Sequence, residues 1–170
     1  LFCTQVWGLY RYRFCNLPLY VPPGHGLLCL ASLATAKVAA VARHRRAILA
    51  VTVVLASGWS LGGLVLARVP DVEGALFLLI FLPLLLRTAR GLEHACTWAL
   101  ASLVELAGTF FDTWEWAAVM PWLGVTSANP PSAAAGGYCV FTVGALGLAW
   151  LIRGGARAWS APGFDRSDRG

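Results

Sequence analysis

Residues 47–67 of this chain read AILAVTVVLASGWSLGGLVLA and contain no charged side chain. A helix of that length rises about 30 Å, which is the thickness of the hydrocarbon core of a bilayer. Basic residues stand immediately outside it, in Arg43-His44-Arg45-Arg46 before the stretch and as Arg68 after it. The stretch therefore predicts a transmembrane helix from Ala47 to Ala67.

The composition of the whole chain agrees with that interpretation. Hydrophobic residues make up 58% of the 170 residues and charged residues 12%, whereas a soluble domain carries roughly 25% charged residues. The mean hydropathy is +0.68. A globule of this size cannot hide several apolar runs of helical length in one small core. We therefore predict an integral membrane protein in contact with the lipid bilayer.

Further apolar runs predict the rest of the fold. They extend from Gly26 to Ala42, Ala75 to Leu86, Leu92 to Asp112 and Ala133 to Ile152. Because the run from Ala75 to Leu86 is short for a span, the four longer runs and a partial segment at the start predict an all-α polytopic bundle of about five membrane segments in residues 1–159. A polar cytoplasmic tail, residues 160–170, follows the bundle. Pro22-Pro23-Gly24 is expected to break the chain before the first complete run.

The opening residues do not read as a signal peptide. The chain begins at Leu1 rather than Met, and we expect its natural start to have been removed or to lie outside this sequence. The stretch lacks a clean apolar core and a small-residue cleavage site. Its aromatic and basic residues are Trp7, Tyr10, Arg11, Tyr12 and Arg13. Because such residues collect where helices reach the membrane interface, we expect the end of a helix here.

The distribution of basic residues predicts the orientation in the membrane. If the helices alternate, ten of the thirteen Lys and Arg residues fall on the side of the Arg43–Arg46 loop. These ten are Lys37, Arg43, Arg45, Arg46, Arg87, Arg90, Arg153, Arg157, Arg166 and Arg169. The other side has Arg11, Arg13 and Arg68. Because cytoplasmic loops carry the excess of basic residues, we place the C-terminus in the cytoplasm and take the membrane to be the bacterial cytoplasmic membrane.

Motifs exclude several classes of function. The five Cys residues form no CxxC pair and no cluster with His at metal-ligand spacing, so we predict no metal site. The net charge is +5, but the basic residues lie in short clusters between apolar runs, so we expect no nucleic-acid partner. The sequence contains no nucleotide-binding or nucleophile-elbow motif. The identity of any cofactor stays unknown.

Polar residues form a stripe along the fourth apolar run. Three or four residues separate its members, which are His94, Trp98, Ala101, Glu105, Thr109, Asp112 and Trp116. Glu105 lies roughly 10 Å inward from Asp112 by helix rise, and burial there favours the neutral acid. Because a carboxyl inside the membrane is costly, we take Glu105 and Asp112 as candidate catalytic acid/base groups. The alternative is that Glu105 makes a structural hydrogen bond between helices.

A second group of residues is expected at the outer end of that helix. Its members are His25, Tyr20, Glu115, Asn129, Tyr138 and Trp116. They form either the rim of a ligand-binding site or an aromatic belt with helix caps. His94, near the cytoplasmic end, is expected to be solvated or to cap the helix.

The sequence after Glu105 resembles one group of membrane enzymes. Glu105-x-x-Gly108, followed by an aromatic-rich turn and a Gly/Pro loop, is similar to membrane carotenoid hydratases and related isoprenoid enzymes. The likeness covers roughly thirty residues. It implies a carotenoid or another isoprenoid as substrate, and no catalytic role is transferred from it.

Two functions remain open at this point. Gly58 and Gly62 have a spacing that lets helices pack closely, and short loops and small-residue faces suit a subunit that packs against other membrane proteins. We therefore expect an accessory or structural subunit of a larger membrane complex, bound to other integral membrane subunits or to its own copies. The alternative is a lipid-binding membrane enzyme that acts on a lipid, isoprenoid or carotenoid with Glu105 and Asp112.

Overall fold

The computed structural model describes residues 2–15 and 17–159 and is 70% helical. The predicted all-α class is confirmed in that coarse form. The α-helices are α1 (Val21–Ala36), α2 (Ala39–Arg43), α3 (Arg45–Leu66), α4 (Val72–Arg87), α5 (Gly91–Phe110) and α6 (Ala133–Trp159). The described residues also form a π-helical turn and two short strands: Phe2–Val6, β1 (Tyr10–Tyr12) and β2 (Trp114–Trp116).

The chain divides into two compact units. The first, Leu1–Cys139, contains both strands, helices α1 to α5 and the first residues of α6. The second begins at Val140, and its described part is the remainder of α6. The predicted polar tail, residues 160–170, lies outside the described residues.

Two helices of the described chain are long and apolar enough to cross a membrane. They are Arg45–Leu66 and Ala133–Gly154, with 22 residues each. The expected number of about five spans is not supported. Helices α1 and α4 have 16 residues each, or about 24 Å of helix against the ~30 Å of a hydrocarbon core. Helix α5 has 20 residues, but its polar stripe lowers its hydropathy.

Helix α1 begins earlier than the sequence predicts. Pro22 and Pro23 do not break the chain, because they occupy the first turn directly after Val21. Proline fits there since the first N–H groups of a helix have no partner inside it and the ring fixes a helical φ. His25 consequently lies on α1, one turn after Val21.

Helix α5 is the central helix of the first unit. It packs against α1, α3 and α4, and eleven of its residues are buried. Ala95 and Trp98 of α5 join Phe81 and Leu85 of α4 in one hydrophobic cluster. The predicted stripe of α5 therefore faces protein along much of its length, as a polar stripe in an apolar helix requires.

Tyr10, Arg11 and Tyr12 form strand β1 rather than the helix end that the sequence predicts, and the π-helical turn Phe2–Val6 precedes them. Strands β1 and β2 pair antiparallel, and their register places Tyr10 opposite Trp116, Arg11 opposite Glu115 and Tyr12 opposite Trp114. In both strands two aromatic residues flank a charged one. Because side chains alternate between the faces of a strand, the four aromatic residues share one face and the charged pair lies on the other.

A buried polar cluster connects α3, α4 and the loop before α6. Asp71 caps the N-terminus of α4 and is fully buried. Its Oδ2 accepts hydrogen bonds from the backbone N–H and the hydroxyl of Ser132, at 2.8 and 2.7 Å. Its Oδ1 accepts from the N–H groups of Gly74 and Ala128, at 3.2 and 3.4 Å. Ser60 of α3 donates to the Gly74 carbonyl at 2.7 Å. We call these residues the Asp71 cluster.

Gly58 and Gly62 make no close contact within the described chain, and their packing against a partner helix stays a prediction. A Cβ atom at Gly58 or Gly62 would meet no heavy atom of the described chain within 4 Å. A Cβ atom at Gly74 would instead overlap the Ser132 hydroxyl, and one at Gly108 would overlap the Trp114 ring. The closest glycine contacts within the described chain are therefore at the Asp71 cluster, at the end of α5 and at its start, where a Cβ atom at Gly91 would overlap the Leu85 carbonyl.

Candidate functional site

Glu105 is the centre of the candidate site. Its residue exposure is 4%. Its Oε2 accepts a hydrogen bond from Nε1 of Trp114 at 2.9 Å and another from Nε1 of Trp116 at 3.1 Å. Both donors belong to β2, so two indole groups fix the carboxyl from outside its own helix. The other oxygen, Oε1, accepts no hydrogen bond from the residues that the structure describes.

The chain returns to Glu105 because α5 ends in a Schellman motif. Asp112 has a φ of 52°, in the left-handed region. The N–H of Thr113 donates to the Gly108 carbonyl at 2.8 Å, and the N–H of Asp112 donates to the Thr109 carbonyl at 3.1 Å. This pair of bonds defines the motif and turns the chain sharply at the helix end.

Gly108 makes the contact between β2 and α5 possible. It lies three residues after Glu105, on the same side of the helix. The Trp114 ring occupies the space that a Cβ atom at Gly108 would take. Any larger residue at this position would push the indole away from the Glu105 carboxyl.

A cavity of about 210 Å³ adjoins Glu105. Its lining is mainly apolar and aromatic. The lining residues are Tyr10, Tyr12, Tyr20, Val21, Gly24, His25, Leu28, Val104, Glu105, Trp114 and Tyr138. The cavity thus lies between β1, β2, α1, α5 and the first turns of α6, all within the first unit.

His25 and Tyr138 form a pair in the cavity wall. Nδ1 of His25 lies 2.8 Å from the Val21 carbonyl, which can only accept, so Nδ1 carries the hydrogen. Nε2 of the neutral ring is then an acceptor, and the Tyr138 hydroxyl lies 3.3 Å from it. The two rings stack, with centroids 5.2 Å apart and an interplanar angle of 18°. The backbone of α1 therefore fixes the tautomer of His25.

Tyr10 and Tyr12 extend the aromatic wall from β1. Tyr10 packs against Trp116 with ring centroids 4.8 Å apart, and Tyr12 contacts Trp114 edge to face at 6.1 Å. Burial is the main cause that raises the pKa of Tyr10 and of Tyr12 above the usual value. Both phenols are therefore neutral near pH 7 and can donate and accept hydrogen bonds.

The structure brings together some of the predicted residues and separates others. Glu105, Tyr20, His25 and Tyr138 line the same cavity, and Trp116 bonds to Glu105. Three other predicted residues line a second cavity of about 500 Å³: Asp112, Glu115 and Asn129. Asn129 Oδ1 accepts a hydrogen bond from the backbone N–H of Trp116 at 3.3 Å. Asp112 therefore does not share the Glu105 cavity.

Tyr10 and Tyr12 were expected at the membrane interface rather than at the site. Tyr10, Tyr12 and Trp114 complete the aromatic wall, and the patterns Tyr-Arg-Tyr and Trp-Glu-Trp were a signal for paired strands.

The solvated or capping position expected for His94 is wrong. Its exposure is 2%, and its Nδ1 has no hydrogen-bond partner among the described residues. The central packing of α5 explains its burial.

The Glu105 cavity combines a carboxyl, an imidazole of fixed tautomer and several phenols in an apolar wall. Such groups bind hydrogen-bond donors and cations, and they can exchange protons with a ligand. No group of three or more metal-ligating side chains occurs in the part of the chain that the structure describes.

No family model, curated protein or solved structure matches this chain.

Proposed function

We propose that this chain is a membrane protein that binds the polar end of a lipid-like or isoprenoid molecule in the cavity beside Glu105. The arrangement of Glu105 carries the proposal. Two indole groups hold one carboxyl oxygen, while the residue borders a cavity of about 210 Å³. A purely structural carboxyl needs no adjoining cavity, whereas a fixed carboxyl at the edge of one is placed to meet a ligand.

The dimensions of the cavity support an amphipathic ligand. A water-sized group occupies about 30 Å³, so the cavity holds roughly seven such groups. This volume suits a headgroup rather than a whole lipid. Helices α1 and α5 both border the cavity and expose Leu27, Leu30 and Leu103. The apolar part of the ligand can pack against such side chains outside the cavity.

Acid–base catalysis is the activity that this site can add to binding. The sequence suggested Glu105 together with Asp112, but Asp112 lines the second cavity. We propose instead that Oε1 of Glu105 and the His25–Tyr138 pair are the two proton-transfer groups. When the Tyr138 oxygen accepts a proton from the ligand, its own phenolic proton can pass to Nε2 of His25, which the fixed tautomer leaves as an acceptor.

Two matched glycine substitutions test the binding site. Gly24 lines the cavity and Gly26 does not, while a Cβ atom at either would meet nothing within 4 Å. We expect Gly24→Leu to fill the cavity and Gly26→Leu to leave it open, with both variants folded. Native mass spectrometry of protein purified in lipid nanodiscs should show a bound small molecule in the parent and in Gly26→Leu only. Equal occupancy in all three proteins, or none in the parent, contradicts the proposal.

A role as an accessory subunit is the second candidate, and the outer surface of α3 favours it. Val54 and Val65 are 69% and 77% exposed, and the space beside Gly58 and Gly62 is open. A partner helix could approach closely there. Gly58→Leu and Gly62→Leu should then weaken assembly in cross-linking of intact membranes, while Gly26→Leu should not. Unchanged cross-linking in both α3 variants would rule out this face as the contact.

We further propose that the protein lies in a bacterial cytoplasmic membrane with its C-terminus in the cytoplasm. The excess of basic residues on one side supports this orientation. A reporter fused after Gly170 should be active as a cytoplasmic protein. One inserted at Leu123, an exposed loop position, should be active only when exported. The opposite result at both positions would reverse the orientation.

A further inference from the structure

We infer that the Glu105 cavity selects a ligand with a positively charged ammonium headgroup. This inference rests on the proposed function and specifies the chemistry of the ligand. Five aromatic side chains line the cavity together with the carboxyl of Glu105: Tyr10, Tyr12, Tyr20, Trp114 and Tyr138. Aromatic rings attract organic cations through their electron-rich faces, and an aromatic enclosure is a common way to bind a quaternary ammonium.

The charges around the cavity favour a cation over an anion. Glu105 is the one carboxyl in the described lining, and neither Lys nor Arg contributes to it. Arg11 and Arg13 line the neighbouring cavity instead, and Arg11 pairs with Glu115 at 3.4 Å. A bound ammonium favours the ionised form of Glu105 and gains it as a charge partner, whereas a phosphate headgroup would meet no basic partner and would be repelled by that carboxylate.

The hydrogen bonds of Glu105 leave room for that partner. Both indole donors bond to Oε2, and they compensate part of the carboxylate charge without bonding to Oε1. Because Glu105 is largely buried, the attraction between its carboxylate and a cation is stronger than it would be in water. A neutral hydroxyl headgroup could also donate to Oε1, but it would gain little from the five aromatic rings.

The volume also agrees with this class of headgroup. Trimethylammonium with the adjoining methylene has five heavy atoms, which need roughly 150 Å³ at about 30 Å³ for each water-sized group. The cavity provides about 210 Å³. The headgroup therefore fits inside, and its alkyl chain must leave the cavity.

The test compares three probes that differ in headgroup charge. Hexyltrimethylammonium, its uncharged carbon isostere and hexyl phosphate are titrated by calorimetry into the full chain in nanodiscs. Short chains limit partition into the lipid. The same titrations are run on Glu105→Gln and on Glu115→Gln, which makes the same change at an exposed carboxylate of β2. Circular dichroism melting checks that each variant is folded.

We expect the ammonium probe to bind at least about tenfold more tightly than its isostere, which is about 1.4 kcal/mol. Glu105→Gln should remove most of this preference, and Glu115→Gln should keep it. Equal binding of the ammonium probe and the isostere would overturn the inference while leaving the proposed function in place. The same holds if hexyl phosphate binds most tightly or if Glu105→Gln keeps the preference. Saturable binding of none of the three probes would overturn both.

Discussion

Helices α3 and α5 have similar lengths, 22 and 20 residues, but they occupy opposite environments. Three residues of α3 are buried, against eleven of α5. The outer surface of α3 consists of branched aliphatic side chains and glycines beside open space. The surface of α5 that packs inward carries a carboxyl, a histidine and a glycine covered by an indole ring. Helices of similar length therefore present an exposed apolar surface in one case and a buried core surface that carries the candidate site in the other.

The largest expected effect comes from one substitution made on each helix. Gly108→Ala on α5 places a methyl group where the Trp114 ring lies, which strains the packing and weakens the Glu105 hydrogen bond. We expect a loss of about 3 kcal/mol in the free energy of unfolding. Gly58→Ala on α3 meets open space and should be neutral or stabilise the helix by up to about 1 kcal/mol.

Thermal unfolding of the two alanine variants in the same detergent checks this difference. Equal melting temperatures for both variants and the parent would contradict the difference between α3 and α5. So would a Gly58→Ala variant that is the less stable of the two.

A smaller loss is expected where the end of α3 meets the Asp71 cluster. Both oxygens of Asp71 accept N–H or O–H donors, so the amide nitrogen of Asp71→Asn must face a donor. One buried group is then left without a partner, which costs about 2 kcal/mol. Asp112→Asn is the matched control, because Asp112 is exposed and Asn tolerates its left-handed φ of 52°. Urea or thermal denaturation should separate the two variants, and equal stability would mean that the cluster does not hold these elements together.

The smallest effect is a pH dependence at Glu73, in the first turn of α4 before its apolar run. Glu73 is 4% exposed, and desolvation raises its pKa above the usual value. Because the folded state binds this proton more tightly than the unfolded state, stability falls as the pH rises from the usual pKa through the raised one.

Glu73→Gln should lack that fall in stability. The Glu73→Gln variant should therefore be more stable than the parent at about pH 8, and this difference in stability should disappear at about pH 4. Melting curves of both proteins across this range give the difference. Parallel curves would show that Glu73 has the same proton affinity in the folded and unfolded states.

The sequence predicts the helical class and the burial of Glu105, because these depend on local features. Apolar runs of helical length and a carboxyl within one of them are visible without tertiary contacts. The number of spans is not predictable in the same way. Helices α1 and α4 end after 16 residues, and α5 is buried by its neighbours, so hydropathy alone overstates their contact with lipid.

The composition of the site depends on contacts between distant residues. Tyr12 and Trp114 are brought together by strand pairing, and two short strands give a weak signal when they are far apart in the chain. The first turn of α1 places His25 in the cavity, although a Pro-Pro-Gly sequence suggests a break. The Schellman motif uses Asp112 where glycine is usual, so the sharp return of the chain is hidden from sequence patterns.

The most direct test of the Glu105 cavity as a ligand site is the NMR signal of its two indole N–H groups. Trp114 and Trp116 donate to Glu105, so a headgroup that approaches Oε1 must change both resonances. Trp59, which packs against Trp98 in the core, and the exposed Trp150 serve as internal controls. On titration of the nitrogen-15-labelled protein with hexyltrimethylammonium, the Trp114 and Trp116 signals should shift and saturate while both controls stay fixed. Unchanged Trp114 and Trp116 signals, or equal unsaturated shifts of all four, would contradict the account.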